Sequence, residues 1–386
     1  MIKILTILGA RPQFIKAACL NRAFKHYPNI TETIAHTAQH HDKNLNTIFF
    51  EELHLTPPAY QLPPPIGGNR LQTIARMQNA LETILRTHQP DATLVYGDTN
   101  STLAGALVSH QLNIPIIHIE AGLRSYNFDM PEEKNRITTD KLATLLFCPT
   151  ELAKNNLLNE GLTESKCHII VSGDIMKDNA RYYAPYAKKP PIPIKQNFVL
   201  ATLHRAQNTD DLKRLHVILE ALETIGGKTQ VIFPMHPRTA GKFRNDGPGD
   251  GFENASEFEN TDGFENKKLQ KSHYKHITFA PPLSYLQTLW LLQHAQAVLT
   301  DSGGLQKEAY FFNKPCLILR EESEYEELIK AGCAVLMGAD KEKIIETFGN
   351  MRDLFHPPFP PHLYSPPEPY VGDSGNLIAK KILEIL

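Results

Sequence analysis

Short apolar runs alternate with longer segments of helical periodicity along almost the whole chain, and this alternation is the strongest constraint on the fold. Segments such as 70–87 and 210–225 have apolar residues at spacings of three and four, which predicts helices. Strands that alternate with helices form parallel sheets covered on both faces, so the pattern predicts an α/β architecture. The predicted strands are 2–8, 30–35, 92–96, 114–119, 145–149, 169–172, 198–202, 230–235, 277–279, 297–300, 315–319 and 334–336.

The chain has 386 residues, which is too long for one core and suits two domains. The proline cluster at 188–193 is the best candidate for a boundary. We therefore predict two Rossmann-like domains with the active site in the interdomain cleft. The expected divisions are an N-terminal domain with the catalytic acids (1–173), a linker (174–195), a C-terminal nucleotide-binding domain (196–365) and a C-terminal helix packing back on the domains (366–386).

Two regions are predicted to be peripheral. Segment 244–268 is acidic and glycine-rich, and its sequence Asp-Gly-Phe-Glu-Asn occurs twice, which predicts an inserted mobile surface loop. A role of this repeat in recognition is the alternative. The proline-rich stretch 356–369 is predicted to cross the surface in extended form before a final helix at 376–386.

Bulk composition excludes several classes of protein. Lys and Arg number 40 against 42 Asp and Glu, so no global field recruits nucleic acid or an anionic membrane. The apolar run 2–8 is too short for a signal peptide or a membrane span. The five cysteines are scattered without a Cys-x-x-Cys pair, which favours reduced core thiols in a cytoplasmic protein.

Ser302, Gly303 and Gly304 connect a predicted strand directly to a helix that starts at Leu305. A small-residue turn at a helix N-terminus binds phosphate, because free N–H groups and the helix dipole point at the anion. Glu308 follows one helical turn later on the same side, where a carboxylate can accept both ribose hydroxyls. The segment predicts a cradle for a nucleoside diphosphate. An ordinary strand–helix connection is the alternative.

Cations follow the first predicted strand. Arg11 lies at the mouth of the turn and Lys16 slightly deeper, while Pro12 suits the first turn of the next helix. Two cations there would neutralise a diphosphate or a departing nucleotide, although a solvated surface pair is an equal alternative. The Gly-Lys-Ser/Thr ending of an ATP-binding loop is missing, so ATP hydrolysis is not indicated.

Three acids follow strands in the same half of the chain. Asp98, Glu120 and Glu132 lie where functional residues of open α/β sheets collect. Converging carboxylates would raise one another's proton affinity and so supply an acid and a base near neutrality. For Glu132 the alternative is that it complements the helix dipole, with Arg136 as its salt-bridge partner four residues on.

Histidines follow two strands in the second half. His204 and Arg205 follow the strand 198–202, and His236 follows the strand 230–235. Strand-end histidines beside arginines predict phosphate contacts. Without a constellation of metal ligands, no metal is assigned.

Together these residues resemble the non-hydrolysing UDP-N-acetylglucosamine 2-epimerase family. The resemblance covers nearly the whole chain except 244–268. Any one motif is weak, and their shared order makes the match specific. The motifs are Gly9-Ala-Arg-Pro-Gln-Phe-Ile-Lys16, Thr37-Ala-Gln-His40, Gly97-Asp-Thr99, His118-Ile-Glu-Ala-Gly-Leu-Arg124, Pro131-Glu-Glu-Lys-Asn-Arg136, His204-Arg205 and Asp301-Ser-Gly-Gly-Leu-Gln-Lys-Glu308.

The resemblance implies a cytoplasmic homodimer with the two-domain GT-B fold and no metal or redox cofactor. It implies interconversion of UDP-N-acetylglucosamine and UDP-N-acetylmannosamine by elimination and re-addition of UDP, for a surface polysaccharide. The implied catalytic acids are Asp98, Glu120 and Glu132, with Arg136 and Arg320 as further active-site positions. The implied diphosphate contacts are Arg11, Lys16, His204, Ser302, Gly303 and Gly304, with Glu308 as the ribose contact.

Three departures qualify the resemblance. Gln207 stands where the family usually has glutamate, the run after Arg320 lacks the Glu-Arg-Pro-Glu pattern of allosterically activated members, and His236-Pro-Arg-Thr239 replaces the usual His-x-Asn-Pro. These variants resemble the branch that holds 2-epimerases of UDP-2,3-diacetamido-2,3-dideoxyglucuronate, so that sugar is the alternative substrate. The rival functions are a GT-B UDP-sugar glycosyltransferase, a hydrolysing 2-epimerase and a non-catalytic nucleotide-sugar sensor.

Overall fold

The computed structural model describes residues 1–39, 49–64, 67–163, 165–243, 269–365 and 372–386. Three parts of the sequence predictions lie outside these residues: the inserted loop 244–268, His40 of the second motif, and the end of the proline-rich stretch from 366.

The described chain divides into two compact units. Unit 1 contains Met1–Tyr186, Ser284–Leu286 and Pro361–Leu386, and unit 2 contains Ala187–Leu283 and Gln287–Pro360. Each unit is built on one parallel β-sheet with helices between the strands.

Within the residues that the structure describes, thirteen strands form the two sheets. Those of unit 1 are β1 (Ile2–Leu8), β2 (Ile30–His36), β3 (Tyr60–Gln61), β4 (Ala92–Tyr96), β5 (Ile116–Ile119), β6 (Leu145–Cys148) and β7 (His168–Val171). Those of unit 2 are β8 (Phe198–Thr202), β9 (Gln230–Pro234), β10 (Ile277–Ala280), β11 (Val298–Thr300), β12 (Cys316–Ile318) and β13 (Ala334–Leu336).

The labelled α-helices are α1 (Arg11–Phe24), α2 (Arg70–His88), α3 (Asn100–Gln111), α4 (Pro131–Leu142), α5 (Glu151–Asn159), α6 (Ile175–Tyr183), α7 (Ala206–Thr209), α8 (Leu212–Gly226), α9 (Pro237–Ala240), α10 (Tyr285–His294), α11 (Gly303–Phe311), α12 (Glu326–Lys330), α13 (Lys341–Gly349), α14 (Met351–Leu354) and α15 (Ser374–Ile385). Two 3-10 turns lie at Ala184–Tyr186 and Lys271–His273.

The sheet of unit 1 has the order β3-β2-β1-β4-β5-β6-β7. Its strands are nearly continuous apolar runs because helices cover both faces of a parallel sheet; every residue of β4 is buried. The direction of chain progression reverses between β1 and β4. In open α/β sheets, the crevice at the carboxyl ends of such a pair is where ligands bind.

Two groups of helices cover this sheet. Helices α1, α6 and α15 pack on one another, while α3 packs on both α2 and α4. Helix α15 buries Leu377, Ile378 and Ile382, three of the apolar positions that predict its docking onto a domain. The C-terminal helix therefore belongs to the packing of unit 1.

The sheet of unit 2 repeats this plan with the order β10-β9-β8-β11-β12-β13. Its reversal lies between β8 and β11, which pair in parallel with Thr202 opposite Thr300. Helix α8 packs on α13 and on the two outer strands β9 and β10. The carboxyl ends of β8 and β11 thus carry residues 203–205 and 301–304 side by side.

The described part of the proline-rich stretch, 356–365, has neither helix nor strand, as predicted. Residues 356–358 and 361–362 are exposed, whereas Phe359 and Tyr364 are buried. The backbone N–H at 359 donates to Asn313, and the carbonyl of Tyr364 accepts from the N–H of Asp174. The stretch therefore runs along the surface and is held there by two buried aromatic side chains.

Two further observations concern the sequence predictions. All five cysteines are buried thiols without a disulfide. Within the described ranges, no helix has the length and apolar character that a membrane crossing needs.

Candidate active site

The turn after β1 is fixed by a glutamine. Gln13 accepts hydrogen bonds from the N–H groups of Gly9 and Ala10 at 2.8 and 3.0 Å, and its own amide donates to the carbonyl of Tyr96 at 3.1 Å. A Cβ atom at Gly9 would lie 2.0 Å from the hydroxyl of Thr37, so only glycine fits. Gln13 thus joins the ends of β1 and β4, the two strands at the reversal point.

Both predicted cations lie on α1. Arg11 is the first residue of α1, and its guanidinium lies 4.8 Å from the centre of the Phe49 ring. Lys16 is mostly buried and forms a salt bridge with Glu120. One of the two predicted diphosphate contacts is therefore engaged with a predicted catalytic acid.

The Lys16–Glu120 pair lies over the turn that follows β4. A Cβ atom at Gly97 would lie 3.0 Å from a Glu120 oxygen and 3.2 Å from the Lys16 nitrogen, and Gly97 has a φ of +62°. Glu120 itself has a φ of 70°, a left-handed conformation that costs energy for a residue with a side chain. Strained backbone of this kind collects at functional sites, which supports a functional Glu120.

Asp98 forms a salt bridge with Arg136 of α4. Arg136 is buried and also binds Glu133 at 2.7 Å and the carbonyl of Leu123 at 3.3 Å. The alternative pairing of Arg136 with Glu132 is therefore wrong. The reason is that Glu133 faces inward, where its carboxylate also accepts from Ser125 at 3.0 Å.

Glu132 lies in the first turn of α4 and is half-buried. Asp98 and Glu120 are each in contact with a cation, and this geometry differs from the expected cluster in which acids raise one another's proton affinity.

A buried network lies beside these strand ends. His118 of β5 places Nδ1 2.7 Å from Asp140 of α4 and Nε2 2.8 Å from the carbonyl of Gly97. Asp140 also pairs with Arg124 at 2.8 Å, and Arg124 binds Glu160. Burial acts to raise the pKa of Asp140, but His118 and then Arg124 outweigh it and lower that pKa.

In unit 2, a strand, a short turn and a helix follow one another around Ser302 as predicted, but the helix begins at Gly303 and not at Leu305. Ser302 caps α11 with its hydroxyl toward the N–H of Leu305, and α11 begins at Gly303. A Cβ atom at Gly304 would meet no heavy atom within 4 Å, so the backbone there is open to a ligand. Glu308 is buried on α11. The turn therefore has the features of a phosphate site.

His204 and Arg205 lie against this turn across the reversal of the sheet. The backbone N–H groups of both residues donate to Asp301, at 3.0 to 3.1 Å. The His204 ring lies 3.2 Å from the same carboxylate through Nδ1, and its centre lies 5.3 Å from that of His236. The predicted histidines of unit 2 are thus neighbours.

The remaining predicted residues occupy different settings. His236 is exposed at the N-terminus of α9, where its Nδ1 accepts from the N–H of Arg238 at 3.2 Å. Arg320 is almost fully buried and bound by Glu324 at 2.9 Å. Arg320 therefore contributes a charge that the protein already balances.

The glutamine departure has a local explanation. Gln207 donates a hydrogen bond to Glu321 at 2.9 Å, and Glu321 also pairs with Arg214 at 2.7 Å. A glutamate at 207 would face Glu321 with the same charge. The amide is therefore the side chain that fits this pair.

Sequence reasoning did not single out Gln13, Glu133, Asp140 or the separate role of Asp301. Glu133 contacts Arg136 and Asp301 contacts His204, and both of these partners were predicted. Gln13 and Asp140 instead contact residues near the strand ends that were not predicted site residues. Asp301 and Asp140 are polar residues next to apolar segments that are fully buried. The sequence shows where Asp301 and Asp140 stand, but it does not predict which residues they contact.

Comparison with known proteins places the chain among sugar-nucleotide enzymes. The family model described as UDP-N-acetylglucosamine 2-epimerase matches residues 22–382. A UDP-2,3-diacetamido-2,3-dideoxy-D-glucuronate 2-epimerase of Pseudomonas aeruginosa is 45% identical over 90% of this chain and 91% of its own length.

Solved structures show the same architecture. The UDP-GlcNAc 2-epimerase of Methanocaldococcus jannaschii, crystallised with UDP-GlcNAc and UDP, superposes with a TM-score of 0.83 at 34% identity, covering 99% of this chain and 100% of that one. A UGT transferase of Siraitia grosvenorii, in complex with UDP, superposes with a TM-score of 0.55 at 10% identity over 100% of this chain and 95% of its own, and so shares the fold alone. The two parallel-sheet domains are of the GT-B type.

Proposed function

Because the chain belongs to the UDP-N-acetylglucosamine 2-epimerase family, we propose that it inverts C2 of a UDP-linked N-acetyl sugar, interconverting UDP-N-acetylglucosamine and UDP-N-acetylmannosamine. An epimerase is an isomerase, so substrate and product have the same atoms. The reaction needs neither an oxidant nor a second substrate.

The proposed reaction is an elimination followed by an addition. A base removes the C2 proton, the electrons of that C–H bond form the C1=C2 double bond, and the C1–O bond breaks so that UDP leaves with its electron pair. The intermediate is a 2-acetamidoglucal. Protonation of C2 from the other face and return of UDP to C1 complete the inversion.

Unit 1 is proposed to supply the proton-transfer groups. The observation that carries this assignment is that Asp98 and Glu120 follow the adjacent strands β4 and β5, each beside a cation. Carboxylates at such positions transfer protons, and Arg136 and Lys16 stabilise negative charge. Glu132 is the third candidate acid.

Unit 2 is proposed to bind the UDP part. The support is the open turn at the start of α11, where the N–H groups and the helix dipole suit phosphate oxygens. The proposed diphosphate contacts of unit 2 are His204, Arg205, His236, Ser302, Gly303 and Gly304, with Glu308 at the ribose and Arg320 nearby. The two cations of α1 in unit 1, Arg11 and Lys16, are proposed as further diphosphate contacts.

A second candidate substrate has specific support. The relative from Pseudomonas aeruginosa, at 45% identity, acts by its name on UDP-2,3-diacetamido-2,3-dideoxy-D-glucuronate. That sugar has an acetamido group at C3 and a carboxylate at C6, and the same C2 chemistry serves it.

We also propose that the protein is a cytoplasmic homodimer and that its product is used in polysaccharide biosynthesis. Light scattering on the purified chain tests whether it is a dimer.

The test is a proton NMR time course of the purified protein in deuterated water, with each of the two UDP-sugars in turn. The proposal expects a C2 epimer that carries deuterium at C2, and the faster substrate identifies the sugar. Release of free sugar and UDP would instead indicate a hydrolysing enzyme. Binding of UDP-sugar without exchange at C2 would favour the transferase or the sensor.

A further inference from the structure

Asp301 is a buried carboxylate that many donors share. It follows β11 at 0% exposure and accepts from the backbone N–H groups of His204 and Arg205 and from the side-chain amide of Asn208 at 3.0 Å. In addition, Nδ1 of His204 lies 3.2 Å from Oδ1. These donors come from the carboxyl end of β8 and from α7, so one side chain joins both sides of the reversal in the sheet.

The carboxylate is ionised at neutral pH. Burial acts to raise the pKa of Asp301, but the His204 ring, the backbone of Arg205 and the amide of Asn208 together lower it. An ionised carboxylate only accepts hydrogen bonds. A protonated Nδ1 is the form of the His204 ring that this carboxylate stabilises across 3.2 Å.

This contact fixes the state of the His204 ring. With Nδ1 protonated toward Asp301, Nε2 lies on the opposite side of a ring whose side chain is 32% exposed. A partner carboxylate both sets the tautomer of an imidazole and stabilises its positive charge. The other charged or titratable groups near the ring are His236, at 5.3 Å between ring centres, and Arg205, which lies 3.9 Å from Glu324.

We propose that Asp301 is a positioning residue that holds His204 with Nδ1 protonated, so that Nε2–H is presented to the diphosphate of the bound UDP-sugar and stabilises UDP as it leaves. The inference rests on the proposed function, since it assigns a partner to one of the proposed diphosphate contacts. Asp301 itself does not touch the substrate. Its effect passes through His204.

The kinetic test is a double-mutant cycle of Asp301→Asn and His204→Gln in the full chain. Asparagine keeps the size and one acceptor oxygen but loses the charge. We expect Asp301→Asn alone to lower kcat by about tenfold or more, as for the loss of other carboxylates that orient a histidine. In the His204→Gln background the same change should alter kcat less than about twofold, because coupled residues are not additive.

Independent losses that multiply in the double variant would overturn the proposal. The matched control is Asp211→Asn, which changes the N-cap of α8 in the same unit and should leave kcat and KM unchanged. A loss of kcat in the control equal to that of Asp301→Asn would assign the effect to general damage of unit 2.

A second measurement does not depend on turnover or on the folding of the Asp301 variant. Nitrogen-15 NMR of histidine-labelled wild-type protein reports which ring nitrogen carries the proton, and His204→Gln assigns the signal by its disappearance. We expect protonated Nδ1 at every pH where the protein is folded. A neutral ring with the proton on Nε2 would overturn the proposal, even if the enzyme proved to act on another reaction.

Discussion

The two units each contain a buried aspartate in contact with a histidine, and the two pairs differ in what the second ring nitrogen does. In unit 1, His118 is fully buried between Asp140 and the carbonyl of Gly97, so both nitrogens are engaged within the protein. In unit 2, Asp301 engages one nitrogen of His204, and a third of the side chain is exposed. The first pair ties β5 to α4 and to the turn after β4, whereas the second leaves part of the His204 imidazole exposed.

Under the proposed function, this difference assigns different chemistry to the two units. In unit 1, His118 is buried in contacts within the protein, and the carboxylates Asp98 and Glu120 follow the strand ends. In unit 2, the carboxylate Asp301 is buried in contacts within the protein, and His204 follows the end of a strand. Removal of a proton from carbon needs accessible carboxylates, and stabilisation of a departing diphosphate needs an accessible histidine.

The largest expected effect tests the carboxylates of unit 1. Asp98→Asn should lower kcat by about 100- to 10,000-fold, the usual contribution of a proton-transfer group. UDP affinity by calorimetric titration should not change, because the cradle lies in unit 2. Asp129→Asn, an exposed acid of the same unit, serves as the control with normal kcat. Full turnover in Asp98→Asn would remove this residue from the mechanism.

The next effect compares the two histidines as structural elements. His118→Ala should lower the free energy of unfolding by about 3–5 kcal/mol, because buried Asp140 and the carbonyl of Gly97 both lose their partner and a cavity is left. His204→Ala should cost only about 1 kcal/mol, since Asp301 keeps its backbone donors and Asn208. Scanning calorimetry of the two variants measures the difference. If both variants lost the same free energy of unfolding, the distinction between the His118–Asp140 and His204–Asp301 pairs would be wrong.

A third aspartate, which is half-buried, extends the comparison to pKa values. Asp178 of α6 accepts from the N–H of Gly375 at 3.1 Å and lies 3.7 Å from the sulfur of Cys19, but in the described part of the chain it forms no salt bridge. Burial raises its pKa from 3.8 to about 6. The pKa values of Asp140 and Asp301, which have histidine partners, are lowered instead.

The sign of the pH effect follows from this raised pKa. The folded state favours protonated Asp178, so its stabilising contribution is complete below pH 3.8 and is lost as the pH rises through about 6. Asp178→Asn should therefore be more stable than wild type at pH 7.5, by up to about 3 kcal/mol. The gap should shrink as the pH falls toward 4. A gap in melting temperature that is constant with pH would contradict this assignment.

Much of the fold could be predicted because strand propensity and helical spacing are local. The bounds of β1, β4, β8 and β13 agree with the sequence predictions, but β3 was missed because two residues give no periodicity. β5 starts at Ile116 and not at 114, since Pro115 lacks the N–H that a central strand donates.

The candidate site was less predictable because its pairs are distant in sequence. The strand-end rule predicted the positions of Asp98, Glu120 and His204. The partner of His204 lies 97 residues away, and only the order of the strands brings it close. The inward direction of Glu133, and not Glu132, depends likewise on the helix packing that the sequence does not contain.

The most direct test of the central claim, that UDP leaves and returns during epimerisation, is a positional isotope exchange experiment. UDP-N-acetylglucosamine labelled with oxygen-18 in the bond between C1 and the β-phosphorus is incubated with the enzyme and followed by phosphorus NMR. The account predicts that the label moves from the bridging to the non-bridging positions of the β-phosphate as the C2 epimer forms. Formation of the epimer with the label retained in the bridge would contradict it.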